Sequence, residues 1–157
     1  MPSKLSLPLN SSGSFDSLDS RLLSGIDTSA LAGLLLRAAL GAMWIAHALL
    51  KLLVFTPAGT AAFFQSVGLP GFLALPVIVL ELAGGVAILL GCHGRLVSLL
   101  LLPILAGAAW VHLPNGWVFT ATGGGWEFPV FLMAVSVIHF LQGDGAWALS
   151  ARRLSRA

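Results

Sequence analysis

Charge is the scarcest property of this chain. Only 9% of its 157 residues are Asp, Glu, Lys or Arg, whereas a soluble globular domain carries about 25%. A deficit of that size excludes a fold with an ordinary solvated surface. No basic tract is present, which excludes a nucleic-acid partner recognised by charge. Cysteine is equally sparse: the lone Cys92 cannot close an intrachain disulfide or complete a Cys-x-x-Cys redox or metal pair. There is likewise no Cys-x-x-Cys-His for covalent haem, no cysteine set for an iron–sulfur cluster, and no strand-borne Gly-x-Gly-x-x-Gly for a dinucleotide. The first 29 residues lack a continuous apolar core of the kind a cleavable secretory signal needs, so the tail is expected to be retained.

What is present is apolar. Hydrophobic residues make up 57% of the chain and the mean hydropathy is +0.95, which marks an integral membrane protein. The length leaves room for about four spanning helices with short connections. The predicted fold class is all-α: a polytopic four-transmembrane-helix bundle over residues 30–150, preceded by a disordered tail over 1–29 and followed by a basic tail over 151–157. The N-terminal tail is serine-rich and broken by Pro2, Pro8, Gly13 and Gly25, with a short surface helix conceivable over Asp16–Ile26.

The first span is expected from about Leu31 to Phe55, with Thr28 or Ser29 as N-cap. Arg37, near its start, reads as a snorkelling anchor. A short interfacial helix over Gly59–Val67 follows, then a type II turn at Leu69-Pro70-Gly71. The second span, Phe72 to Leu90, carries Glu81 roughly 14 Å from its first residue, near the centre of a hydrocarbon core about 30 Å thick. A carboxylate there costs on the order of 3 kcal/mol unless it is paired, protonated or hydrated. Gly84 and Gly85 share its face and allow a neighbouring helix to approach. The third span is expected over Leu96–Leu113, kinked at Pro103, and the fourth over Glu127–Leu141, short for a full crossing. Between them lies a glycine-rich loop with Trp117 and Trp126 at the interface.

Four spans put both termini on one side. Lys4, Arg21, Arg37, Arg95, Arg152, Arg153 and Arg156 then fall on the terminal side and only Lys51 on the other. This asymmetry predicts cytoplasmic termini in a bacterial cytoplasmic (inner) membrane, with the two longer loops outside.

The polar residues of the outer half are the candidate site. His47 and Lys51 are four apart on one helix face and lie at depths that Glu81 can meet, so the three are expected to form one cluster. It reads either as a proton- or quinone-handling catalytic site or as an architectural ion pair. His112, Asn115, Trp117 and Glu127 are the candidate substrate-binding residues. His47 and His112 could each serve a quinone carbonyl or accept a proton near neutral pH. Glu127 also reads as a charge favouring the fourth helix's N-terminus. A metal held by His47, His112 and Glu81 would lack any sequence-adjacent ligand pair, and no metal is predicted. His139, with no candidate partner at its depth, reads as structural.

Several of these residues together resemble a known family. Arg37 precedes the His47 and Lys51 face; Gly-Leu-Pro precedes Glu81-x-x-Gly-Gly, which is followed by Leu-Leu-Gly-x-x-x-Arg95. Asn115-Gly-Trp, Gly-Gly-Gly-Trp-Glu127 and Gly-Asp-Gly complete the series. Over residues 31–150 this pattern is similar to the DoxX family of bacterial and archaeal membrane proteins. The resemblance implies a four-helix membrane bundle. Some relatives are subunits of an archaeal thiosulfate:quinone oxidoreductase, and a mycobacterial relative joins a membrane-associated oxidoreductase complex. By that resemblance the chain would be a membrane subunit of an oxidoreductase system, passing electrons from a periplasmic donor such as a sulfur compound to quinone. It has no intrinsic cofactor motif, so quinone and a redox partner subunit would supply the carriers. The alternative is a non-catalytic anchor or scaffold for a partner protein. The lipid bilayer is the partner required by either reading, and self-association is open.

Overall fold

The computed structural model describes residues 25–150. The expectations for the N-terminal tail, the Asp16–Ile26 helix and the basic C-terminal tail fall wholly or mainly outside these residues.

Helix α1, Thr28–Leu49, is capped one residue earlier than the nearer of the two predicted caps. Asp27 is the N-cap, its carboxylate accepting from the Ala30 N–H at 2.9 Å, because a carboxylate reaches the free amides of the first turn as well as a hydroxyl does. The helix runs on through one π-helical turn, Leu50–Val54. Helix α2, Thr56–Ser66, is the short helix expected after the first span. The turn that follows differs from the prediction: Gly68 takes positive φ at 81°, while Gly71 opens a 3-10 turn, Gly71–Leu73. The helix end, with its unsatisfied carbonyls, needs the left-handed residue sooner than the proline does.

Helix α3 spans Ala74–Leu90 and ends at Gly91, left-handed at φ 67°. The third span is divided into α4, Gly94–Leu100, and α5, Leu102–His112, with the break at Leu101. Pro103 enters in the first turn of α5, where its missing N–H interrupts no bond of that helix. A 3-10 turn, Leu113–Asn115, leads into the long loop, and α6 covers Glu127–Gln142.

Among the described residues, three stretches are long and apolar enough to cross a membrane: Thr28–Val54, Gly71–Leu90 and Gly94–Asn115. At 16 residues, α6 reaches about 24 Å, slightly less than the hydrocarbon core. The described residues thus form an all-helical membrane bundle of three long spans and a shorter fourth.

Packing inverts the arrangement of a water-soluble protein. Leu35, Leu53, Phe72, Leu100, Phe131 and Leu141 face outward, while Arg37, Glu81, Ser98, Ser136 and His139 are buried. Lipid rewards the outward apolar groups no more than the interior does, so close helix contact must come from shape and from inward polar bonds. Shape is supplied chiefly where α1 meets α3. A Cβ at Gly85 would sit 2.8 Å from the Trp44 Cβ and 2.9 Å from the Ile45 N, and one at Gly41 would sit 2.8 Å from the Leu89 N. The two glycines let the backbones touch. Gly84 serves the other side of α3, where a Cβ would meet Leu101 at 2.7 Å. Leu40, Trp44, Ile88, Leu101, Leu105 and Leu132 form the apolar core around these contacts.

Candidate functional site

Two polar assemblies occupy opposite ends of the bundle. At the loop end, the Lys51 Nζ donates to both carboxylate oxygens of Glu81, at 2.9 and 2.8 Å. Glu81 is 3% exposed, whereas the Lys51 side chain retains 21% exposure. The π turn carries Lys51, and a wider turn re-aims its stem relative to the α-helix before it. The pair joins α1 to α3 as the sequence predicts.

His47 departs from that pair. Its Nδ1 lies 2.9 Å from the Met43 carbonyl of its own helix. A carbonyl can only accept, so Nδ1 carries the hydrogen and the neutral ring keeps Nε2 as an acceptor. The imidazole stacks on Phe128, with centroids 5.7 Å apart and planes 19° apart. Together they open onto a cleft of about 590 Å³ between α1, α5, α6 and the long loop. Its walls are His47, His112, Phe119, Gly124, Gly125, Phe128 and Pro129. The surface is mainly apolar, with two imidazoles as its principal polar features, a composition suited to a small amphipathic ring.

The loop that roofs the cleft is folded. The Trp126 N–H donates to the Gly116 carbonyl at 3.2 Å and the Glu127 N–H to the Trp117 carbonyl at 3.1 Å. Trp117 and Trp126 meet edge to face at 4.4 Å. Asn115 donates through Nδ2 to the Gly123 and Gly124 carbonyls at 3.0 and 2.8 Å. Both amide hydrogens are thereby used, so the His112 Nδ1, 3.5 Å away, stays free to donate or accept. Gly125 approaches the carbonyls of Trp117 and Val118 so closely that no Cβ would fit.

Of the predicted site residues, His47 and His112 are brought to one cleft. Asn115 and Trp117 build its roof, Glu127 begins α6 beneath it, and Lys51 and Glu81 stand outside its walls. His47, His112 and Glu81 do not converge as a metal-ligand group among the described residues. Phe119 and Phe128 went unrecognised in the sequence, because an aromatic in an apolar stretch carries no signal until a cavity is seen beside it.

The comparisons with known proteins bear on this geometry. A family model, DoxX, matches residues 32–113, more than half of the chain. The chain belongs to the DoxX family. Within this DoxX protein, the matched region carries Arg37, His47, Lys51, Glu81, Arg95 and His112 and stops before the loop and α6. A Bacillus subtilis (strain 168) relative named "Putative oxidoreductase CatD" is 40% identical over 75 residues, which cover 48% of this chain and 54% of the relative. The matched stretch therefore spans about half the length of that protein. No solved structure matches the chain.

The terminal end holds the second assembly, and here two sequence expectations are corrected. Arg37 does not snorkel: it is 4% exposed and donates through Nη2 to the Ala146 carbonyl at 3.2 Å. The segment 143–150 folds back across the bundle mouth and covers it. The Ala146 N–H donates to the Ala30 carbonyl at 2.9 Å, and the Ser150 N–H to the Gly91 carbonyl at 3.1 Å. Gly33 and Gly145 provide the contact, since a Cβ on Gly33 would meet the Gly145 Cα at 2.8 Å. Nor does His139 lack partners: its Nδ1 lies 2.6 Å from the Ser98 Oγ and its Nε2 lies 3.3 Å from an Asp144 carboxylate oxygen. Asp144 lies beyond the last predicted span, so depth counting along the helices could not bring it to His139.

Proposed function

We propose that this chain is the membrane subunit of a quinone-linked oxidoreductase system, with the cleft between α1, α5 and α6 receiving the quinone head group. The observation that carries this reading is the pairing of His47 and His112 on an otherwise apolar, aromatic-walled cleft at one end of a membrane bundle. The oxidoreductase name of the Bacillus subtilis relative points the same way. A quinone, when bound, supplies a two-electron, two-proton carrier that the chain itself lacks.

The chain's own residues bind, orient and exchange protons. Phe119 and Phe128 flank a planar ring and exclude water from it. His47, its tautomer set by the Met43 carbonyl, offers Nε2 as acceptor for a hydroxyl hydrogen of the reduced head group. His112, with neither nitrogen committed, donates to a carbonyl oxygen of the oxidised one. Electrons arrive from a donor bound at the loop face or through a partner subunit. On this reading Lys51 and Glu81 brace α1 against α3 and keep His47 at the cleft wall. The loop face on this reading is the periplasmic side of the cytoplasmic membrane, an orientation the basic asymmetry of the sequence supports.

A titration of the detergent-purified full chain with a short-chain benzoquinone or naphthoquinone, followed by quenching of tryptophan fluorescence, tests the proposal. Saturable quenching is expected, weakened at least tenfold by Phe128→Ala and by His47→Ala while helicity is retained. Quenching that is linear in quinone, or indifferent to both substitutions, would overturn it.

A further inference from the structure

The assembly around His139 plays no part in the cleft chemistry, yet His139 is the least exposed titratable residue among those described. His139 is wholly buried, as is Ser98, and the Asp144 side chain retains 10% exposure. The three lie in a row from the terminal surface inward: Asp144 Oδ1 is 3.3 Å from Nε2, and Nδ1 is 2.6 Å from the Ser98 Oγ. The contact falls within ion-pair distance without hydrogen-bond geometry, and neither Nε2 nor Oδ1 has a hydrogen-bond partner among the described residues. The site is built rather than incidental. A Cβ at Gly94 would lie 2.5 Å from the Asp144 Oδ1 and 3.3 Å from the His139 Cε1, so glycine vacates the space the pair fills. The Ser150 Oγ lies 3.3 Å from the far carboxylate oxygen and 2.9 Å from the Gly91 carbonyl, so its single hydrogen is shared between them.

The Ser98 hydroxyl makes this row a two-state device. Its Oγ lies 2.9 Å from the Gly94 carbonyl as well as 2.6 Å from Nδ1, and one hydroxyl has one hydrogen. With the imidazole protonated on both nitrogens, Nδ1–H donates to Oγ, the hydroxyl donates to the Gly94 carbonyl, and Nε2–H faces the carboxylate. With one proton removed, Nε2–H still faces the carboxylate and the hydroxyl turns to donate to Nδ1. The states differ by one proton and one hydroxyl rotation, with every heavy atom in place. The other charges that face the ring are Arg37 from α1 and Arg95 from α4. The row is not a nucleophilic triad: Ser98 is wholly buried, so its oxygen meets no substrate from solvent.

We infer that His139, with Asp144 as its port and Ser98 as its switch, is a proton-exchange site serving the terminal side of the bundle. The site binds one proton from the aqueous phase reached through Asp144 and returns it there. Its partner comes from the covering segment 143–150, so proton binding and the seating of that segment support each other. The inference does not depend on quinone binding at the other end. Ser98 is a positioning residue whose removal takes away the acceptor for Nδ1–H.

Nitrogen-15 NMR of the histidine-labelled full chain in lipid nanodiscs, titrated from pH 5 to pH 9, reads the site without any quinone. Of the four imidazoles, the one whose resonance vanishes from the spectrum of His139→Gln should titrate reversibly. Asp144→Asn, which preserves shape and removes charge, should lower its midpoint by about one pH unit or more. Ser98→Ala should lower it by less. If His139→Gln does not fold, the imidazole whose midpoint moves in both Asp144→Asn and Ser98→Ala identifies the residue. A His139 resonance unchanged across the range, the mark of a purely structural clamp, would overturn the inference. So would a midpoint indifferent to both neighbouring substitutions.

Discussion

Removing either member of the Lys51–Glu81 pair should harm the protein more than removing both, and unequally. Lys51→Met leaves Glu81, 3% exposed, without its two bonds from Nζ. The carboxyl can escape by taking a proton, which at pH 7 costs about 4 kcal/mol from an ordinary carboxyl near 4.3 and so caps the penalty. Breaking a buried pair from one side typically costs about 3–5 kcal/mol, and protonation holds this case to the lower part of that range. Glu81→Gln is milder: the amide oxygen still accepts from Nζ. Lys51, 21% exposed at the end of α1, can also turn its ammonium toward the headgroups. A loss of about 1–2 kcal/mol follows. The double substitution leaves no buried charge and should cost about 1 kcal/mol or less. The single effects thus exceed the double, with a coupling of at least about 2 kcal/mol. Reversible unfolding of the four proteins in mixed bicelles measures it. Strict additivity, or Glu81→Gln proving the more damaging single change, would refute the reasoning.

Two further expectations test packing and orientation. Gly85→Ala places a methyl 2.8–2.9 Å from Trp44 and Ile45 atoms, two of them on or next to the α1 backbone. It should destabilise the same unfolding transition by about 1–3 kcal/mol, and a neutral result would mean that α1 and α3 are not so close. In the Cys92→Ser background, an impermeant maleimide added to intact cells should label a cysteine placed at Thr120 and spare one at Ser150. The reverse pattern would invert the membrane orientation proposed for the cleft.

Much of the bundle was legible because a membrane imposes one rule on sequence: uninterrupted apolar length. Glu81 stood out against it, and the helix counting that set its depth beside Lys51 led to the bidentate pair observed. The same counting overreached for His47. Sharing a face with Lys51 suggested a shared partner, but the π turn at Leu50–Val54 separates the two directions, and the imidazole turns to Met43 and Phe128. Nothing in the residue types announces that turn. Arg37 and His139 were misjudged for a different reason. Depth arguments treat a helix as if it met only lipid and other helices, whereas Ala146 and Asp144 reach them from a segment that doubles back over the bundle mouth. Gly33, Gly91, Gly94 and Gly145, the glycines that make room for that return, are recognisable only once the contacts are known.

Photolabelling of native membranes with an azido-quinone, followed by peptide mapping of the labelled chain, addresses the quinone cleft most directly. Label confined to the peptides bearing His47, His112, Phe119 and Phe128, and displaced by excess unlabelled quinone, is the predicted result. Label spread along the lipid-facing leucines of α1, α3 and α6, undiminished by competitor, would contradict the account.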